Sequence, residues 1–312
     1  VRERTARVAA RARFVRIDPE GLETYARALA DEPLAADAVD VLPSGSHDDE
    51  TRAAFVLSLD AINFGSGWFP VLRKRAGCSG YRTIEAAVIE RFETVGPWTA
   101  AQIASIEAAA VADWLGQPRP PSPVDDLMEL FARALRDLGN RVTRHHGGSF
   151  AALVASAQGS AESLVRELLA MPLYQDIADY DGLTVPFLKR AQITVADLAR
   201  ALPGEAGRFR DLDRLTMFAD NLVPHVLRLD GVLRCDPALV ERIEREELLP
   251  WGTTEEVELR ACAVHAVELL VERLRATRPE VNAARLDAWL WLRGGQPRYK
   301  ERPRHRTRCP YY

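Results

Sequence analysis

The sequence predicts a mainly α protein: a single helical domain, possible in two lobes, with little or no β structure. Three observations point there. Apolar residues recur at helical spacing through most of the chain, helix caps and stops bracket those stretches, and no hairpin turn has alternating flanks. With 312 residues, 47% of them hydrophobic and 28% charged, a sizeable core is available and a largely disordered chain is excluded.

In chain order, helices are expected at 19–31, 82–93 and 99–115. The clearest is 122–138, where Ser122 suits the N-cap, Pro123 the first position, and Asp125 and Asp126 the positive helix end. Leu127, Leu130, Phe131, Ala134, Leu135 and Leu138 form its stripe, and Gly139-Asn140 is its expected stop. Another follows at 161–170. The next starts near Thr184, with Phe187, Leu188, Ala191, Val195, Leu198 and Leu202 inward and Pro203-Gly204 as terminator. Residues 211–230, 237–248, 254–275 and 280–292 complete the set. Strand evidence is thin: FVLSLDAI at 55–62 alternates only in part, and Asp181-Gly182 and Asp230-Gly231 sit beside helical patterns. PRPPSP at 118–123 resembles a linker but is too short to define a boundary, so the expected unit is 1–312.

The overall charge of −4 is unevenly spread. Residues 1–16 carry +5 and residues 298–312 another +5, leaving −14 between them. An acidic body disfavours wrapping a polynucleotide, whose binding rests on phosphate neutralisation, whereas the basic ends could grip a small anion or fold back on that body. Cys78, Cys235, Cys262 and Cys309 lie far apart, so neither a disulfide framework nor a cysteine zinc site is indicated. No apolar run approaches the roughly 18 residues of a membrane span and no secretory signal is visible. A soluble, cytoplasmic monomer without metal or cofactor is expected; the start at Val1 leaves room for a missing native segment.

Chemistry-bearing candidates are few. In DLDRLTMFADNLVPHVLRLDG (211–231), Asp220 lies beside an apolar face, and Pro224 cannot donate to its carbonyl, so the helix should kink or restart there. Asp220 is thus either a catalytic acid or the cap of the next helix. Lys189 and Arg190 in a first helical turn oppose the macrodipole, which calls for a bound anion or a neighbouring acid. Glu258, Cys262 and His265 share a helical face, a weak metal pattern more often structural. Asp287 and Trp291, four apart in LDAWLW, fit either a capped amphipathic helix or an acid and ring that hold a heterocyclic base. The closing HRTRCPYY is too aromatic for a frayed tail and is expected to dock with its arginines. Dinucleotide, P-loop, zincin and esterase-elbow signatures are absent.

Several long blocks in one order resemble the queuosine salvage protein family, the queuosine 5′-phosphate N-glycosylases. They are NFGSGW (Asn63–Trp68), SGY (Ser79–Tyr81), FLKRAQI (Phe187–Ile193), LTMFAD with its following proline (Leu215–Pro224), EVELR (Glu256–Arg260), LDAWLW (Leu286–Trp291) and HRTRCPYY (His305–Tyr312). The resemblance spans roughly residues 20–312. It implies a helical fold similar to DNA glycosylases and hydrolysis of queuosine 5′-phosphate, releasing the 7-deazaguanine base queuine for reuse in transfer RNA modification. It assigns Asp220 as nucleophile or transition-state stabiliser, Phe218 as a base contact, Asp287 and Trp291 as base-binding acid and aromatic, and Lys189 as facing the phosphate or sugar. Departures are Asn221-Leu222 where many relatives have Tyr-Arg, Leu292 where they often have an acid, and Gly65 and Gly67, expected to loosen their block. An upstream histidine of some relatives has no clear counterpart, His47 being differently spaced. The competing expectations are a non-catalytic module for queuine or a modified nucleotide, a DNA glycosylase-like repair protein, and a purely structural scaffold.

Overall fold

The computed structural model describes residues 1–33, Leu42 and 47–312. It opens with α1 (Arg2–Ala9), β1 (Val15–Ile17) and α2 (Pro19–Asp31). α2 has the expected bounds: Asp18 accepts the Gly21 amide at 3.1 Å and Pro19 fills the first position. Residues 55–62, the one stretch with partial strand character, lie mainly in α3 (Asp49–Ala61), whose start is capped by Asp48. Every residue from Ala53 to Ala61 is buried, so α3 lacks a polar face and its periodicity is erased.

The expected helix 99–115 is two, α5 (Ala100–Ala104) and α6 (Ala108–Trp114), after α4 (Gly80–Val95). α7 (Asp125–His145) runs straight through Gly139-Asn140. A Cβ on Gly139 would lie 2.5 Å from the Ala100 carbonyl oxygen and the Ala104 amide nitrogen, so this glycine admits α5 against α7 rather than ending the helix. α8 (Phe150–Ser156) and α9 (Ala161–Leu168) follow.

Asp181-Gly182 proves to be a hairpin turn. β2 (Ile177–Tyr180) pairs antiparallel with β3 (Leu183–Pro186), and both turn residues have positive φ, 50° and 78°. Thr184 belongs to β3, so α10 begins later, as Lys189–Ala201. The remaining elements are α11 (Leu222–Leu229), β4 (Leu233–Cys235), α12 (Pro237–Glu244), α13 (Thr254–Leu274), α14 (Ala283–Arg293) and α15 (Pro297–Lys300), with β4 antiparallel to β1. The fold is mainly α: fifteen α-helices and four short strands among the described residues.

Two apolar clusters divide the interior. One is built largely on α3 to α10, the other on α1, α2, the hairpin and α11 to α14. The basic ends lie on the acidic body: Arg2 pairs with Glu268 at 2.8 Å, Arg302 with Glu244 at 3.0 Å and Arg306 with Glu246 at 3.3 Å. Among the described residues no helix is long and apolar enough to cross a membrane.

Candidate active site

The seam between the clusters is where the candidate residues meet. Leu215 and Phe218 belong to the first cluster, Met217 and Ala219 to the second, so the irregular segment before α11 threads between them. Asp220 stands at its end, partly open to solvent. Its Oδ1 accepts the amides of Leu222 at 2.8 Å and Val223 at 3.0 Å, while Oδ2 makes no hydrogen bond among the described residues. One side chain therefore combines the two readings of the sequence: one oxygen anchors a helix start and the other is left for chemistry. The expected break in 211–230 is a restart rather than a kink: after a short 3-10 turn at Leu212–Arg214, α11 begins at Leu222, which puts Pro224 in its first turn, where a missing N–H is not needed.

Lys189 is the first residue of α10, after a sharp turn in which Leu188 adopts φ 56°. The carbonyl of Asp176 accepts the Phe187 and Leu188 amides, and its side chain accepts the Lys189 amide at 3.2 Å. An acid therefore occupies this helix start. The Lys189 ammonium donates to the carbonyl and side-chain oxygens of Asn63 at 2.9 and 3.0 Å. Arg190 points into the core instead, donating to the carbonyls of Ala61 and Leu173 with Phe64 and Tyr174 rings against its guanidinium.

Asp287 reaches the seam from α14. Its Oδ1 accepts the Phe218 amide at 3.0 Å, so the main chain of Phe218 ties this acid to the Asp220 segment while its ring packs in the core. Burial, and then the nearby Asp220 charge, push the Asp287 carboxyl well above the usual carboxylate range. Burial also raises Asp220, but the Val223 and Leu222 amides, Lys189 and Arg304 pull it back. Both carboxyls are thus raised by burial, and the Phe218 amide, Lys189 and Arg200 partly offset the rise at Asp287 as well. Trp291, one turn beyond Asp287, meets the edge of Tyr81 at 5.9 Å and carries Arg82 over its ring at 5.4 Å.

Sequence reasoning missed further residues here. Asp60 is fully buried, accepts from the Asn63 side chain at 3.2 Å and has its second oxygen unpartnered; burial and Asp197 raise its carboxyl well above the ordinary range. Tyr81 and Asn63 sit inside quoted blocks, which was the available signal; Asp60 bonds the nearby Asn63, but the charges that act on it, Asp197, Lys189 and Arg200, come from α10. Arg304 arrives with the tail.

That tail also explains the glycines. The Gly65 and Ser66 amides donate to the Tyr312 main-chain oxygen at 3.0 and 3.3 Å. A Cβ on Gly67 would lie 2.5 Å from the Thr307 oxygen, and Gly65 has φ 100° with Leu127 2.5 Å from a built Cβ. Both glycines permit close packing, so the expected loosening is overturned. Asn221 donates to Ser66 Oγ at 3.1 Å and the His305 carbonyl at 3.0 Å, clasping the Asp220 segment to the tail. The Glu258 pattern on α13 is structural: its carboxylate accepts the Arg13, Phe14 and Val15 amides and the Tyr180 hydroxyl, and the Cys262 thiol donates to the Val15 carbonyl.

A sequence profile described as queuosine salvage protein matches residues 43–312. A Sphaerobacter thermophilus protein named queuosine 5′-phosphate N-glycosylase/hydrolase is 35% identical over 99% of this chain and 96% of its own length. Proteins of the same name from Mus musculus and Dictyostelium discoideum are 32% and 30% identical, each over 100% of this chain and 98% of their own.

Proposed function

Since the chain belongs to the queuosine salvage protein family, we propose that it hydrolyses the N-glycosidic bond of queuosine 5′-phosphate, yielding queuine and ribose 5-phosphate. The observation that carries this reading is the pair of carboxyls at the seam, Asp220 with a free oxygen and Asp287 raised beside it. Cleavage passes through an oxocarbenium-like state, and an ionised Asp220 against the anomeric carbon stabilises the charge that develops. The bonding pair leaves with the base, water adds to the anomeric carbon, and the base gains a proton. A 7-deazapurine has no N7 to receive it, so help must come at its remaining polar edge. Asp287, whose carboxyl is raised by burial and the nearby Asp220, is the donor there. Trp291 flanks the base, Phe218 acts through the amide it donates to Asp287, and Lys189 faces the sugar side of Asp220. The protein acts on the free nucleotide as a cytoplasmic monomer, its −14 middle opposing stable polynucleotide binding.

The test is incubation with queuosine 5′-phosphate, with queuosine and GMP as controls and a chelator in one arm, followed by mass spectrometry for free queuine. Release from the monophosphate supports the reading. No release, with a clear thermal shift on adding queuine, replaces it with a binding module.

Lys189 supplies a second check. Its charge holds the Asp220 carboxyl down, so Lys189→Met should raise that carboxyl further. Activity needs the ionised form and falls as pH drops through this ionisation. The acid limb of kcat/KM should therefore move to higher pH in the variant. A limb at the wild-type position would show that Lys189 does not act on Asp220.

A further inference from the structure

Resting on the hydrolase reading, we propose that Arg304 is the anchor for the 5′-phosphate of the substrate. The cations around the seam are otherwise engaged. Lys189 is bonded twice to Asn63, and Arg190 to two carbonyls. Arg260 is paired with Asp176 and Glu256, Arg200 with Asp197, and Arg82 with Glu85. Arg304 alone among these makes no hydrogen bond or ion pair with the described residues, and its Nε is fully buried without a partner. A half-buried guanidinium with idle donors is costly in a folded protein, and a bound oxyanion removes the cost. Its planar fork matches two phosphate oxygens at once, which an ammonium cannot do.

The position fits a nucleotide. The charge of Arg304 acts on Asp220, whereas Asp287 feels Asp220, Lys189 and Arg200. Asn221, the neighbour of Asp220, is bonded to the carbonyl of His305, the neighbour of Arg304, so the free guanidinium belongs to the same wall of the seam as Asp220. The arginine is also held ready on both sides: Arg228 donates to the Pro303 carbonyl at 2.9 Å and Asn221 to the His305 carbonyl at 3.0 Å. Fixing the backbone at both neighbours lowers the ordering cost of binding. Lys189, whose ammonium is already committed to Asn63, is left to the sugar.

The experiment compares wild type, Arg304→Gln and Arg304→Lys. Its readout is the ratio of kcat/KM on queuosine 5′-phosphate to that on queuosine, with thermal protection by inorganic phosphate measured in parallel. The ratio should fall about 10- to 100-fold in Arg304→Gln, with Arg304→Lys intermediate. Phosphate should protect wild type and fail to protect Arg304→Gln. An unchanged ratio, with phosphate protecting all three proteins alike, overturns the proposal. If wild type releases queuine from neither substrate, the hydrolase reading fails. The phosphate arm then decides alone: protection lost in the variants keeps an anion site at Arg304, and protection retained removes it. Should Arg304→Gln not fold, Arg304→Lys carries the same comparison.

Discussion

Asp220→Asn is expected to lower kcat on queuosine 5′-phosphate by about 10³-fold or more, with the fold and substrate binding retained. The asparagine is nearly isosteric, and its oxygen can still accept the Leu222 and Val223 amides that start α11. What it removes is the negative charge on the side chain whose other oxygen is unbonded. Because that charge is needed most when the sugar becomes cationic, the loss falls on kcat rather than on ground-state affinity. A single-turnover assay with matched circular dichroism and melting temperature separates the two. An Asp220→Asn protein that still turns over within a few-fold of wild type would remove Asp220 from the chemistry. Asp220→Ala, by contrast, also strips the helix start of its acceptor and confounds stability with rate.

The largest stability effect should come from Arg260→Met, a loss of about 3–5 kcal/mol in unfolding free energy. Arg260 is completely buried on α13. It pairs with Asp176 at 2.6 Å and Glu256 at 3.4 Å, donates to the Ala219 carbonyl at 2.9 Å, and lies against the rings of Phe187 and Tyr312. Methionine fills most of the space but leaves two carboxylates in the core without their cation. Such a loss is a large share of the 5–15 kcal/mol that typically holds a domain folded. Chemical denaturation at neutral pH would measure it, and adding Asp176→Asn and Glu256→Gln should recover part by removing the stranded charges. A loss below about 1 kcal/mol would mean that this cluster is not a structural keystone. The same guanidinium connects the carbonyl preceding Asp220 to the acid that accepts the Lys189 amide. Residual activity per folded molecule should therefore fall as well.

How much was legible depended on whether the signal was local. α2 announces itself through Asp18 and Pro19, and its bounds agree with the structure. α3 does not: a helix buried all round has no stripe to detect, and its apolar run imitates a strand. The stop assigned to Gly139 failed because the reason for that glycine is a neighbouring helix, not a helix end. The Asp181-Gly182 turn is hidden in the sequence because two four-residue strands offer little alternation to set against the helical pattern that follows. At the candidate site, Lys189, Asp220, Asp287 and Trp291 could be singled out because each sits in an unusual local string, and Phe218 through the family resemblance. Asp60 and Arg304 could not, since an orphaned carboxylate oxygen and an unpaired guanidinium exist only once distant helices and the tail have packed.

The clasp of Asn221, Ser66 and the tail has a consequence for the order of events as the protein is made. The Gly65 and Ser66 amides find their acceptor 246 or more positions further along the chain, at Tyr312. A ribosome delivers that acceptor, and Arg304 with it, only after every helix carrying the other seam residues has been synthesised. The two apolar cores can begin to form earlier, but the nascent protein cannot close the wall of its own seam. Such long-range closure is slow compared with local helix packing. The contacts that join the tail to the Asp220 segment are therefore made last, as the tail docks.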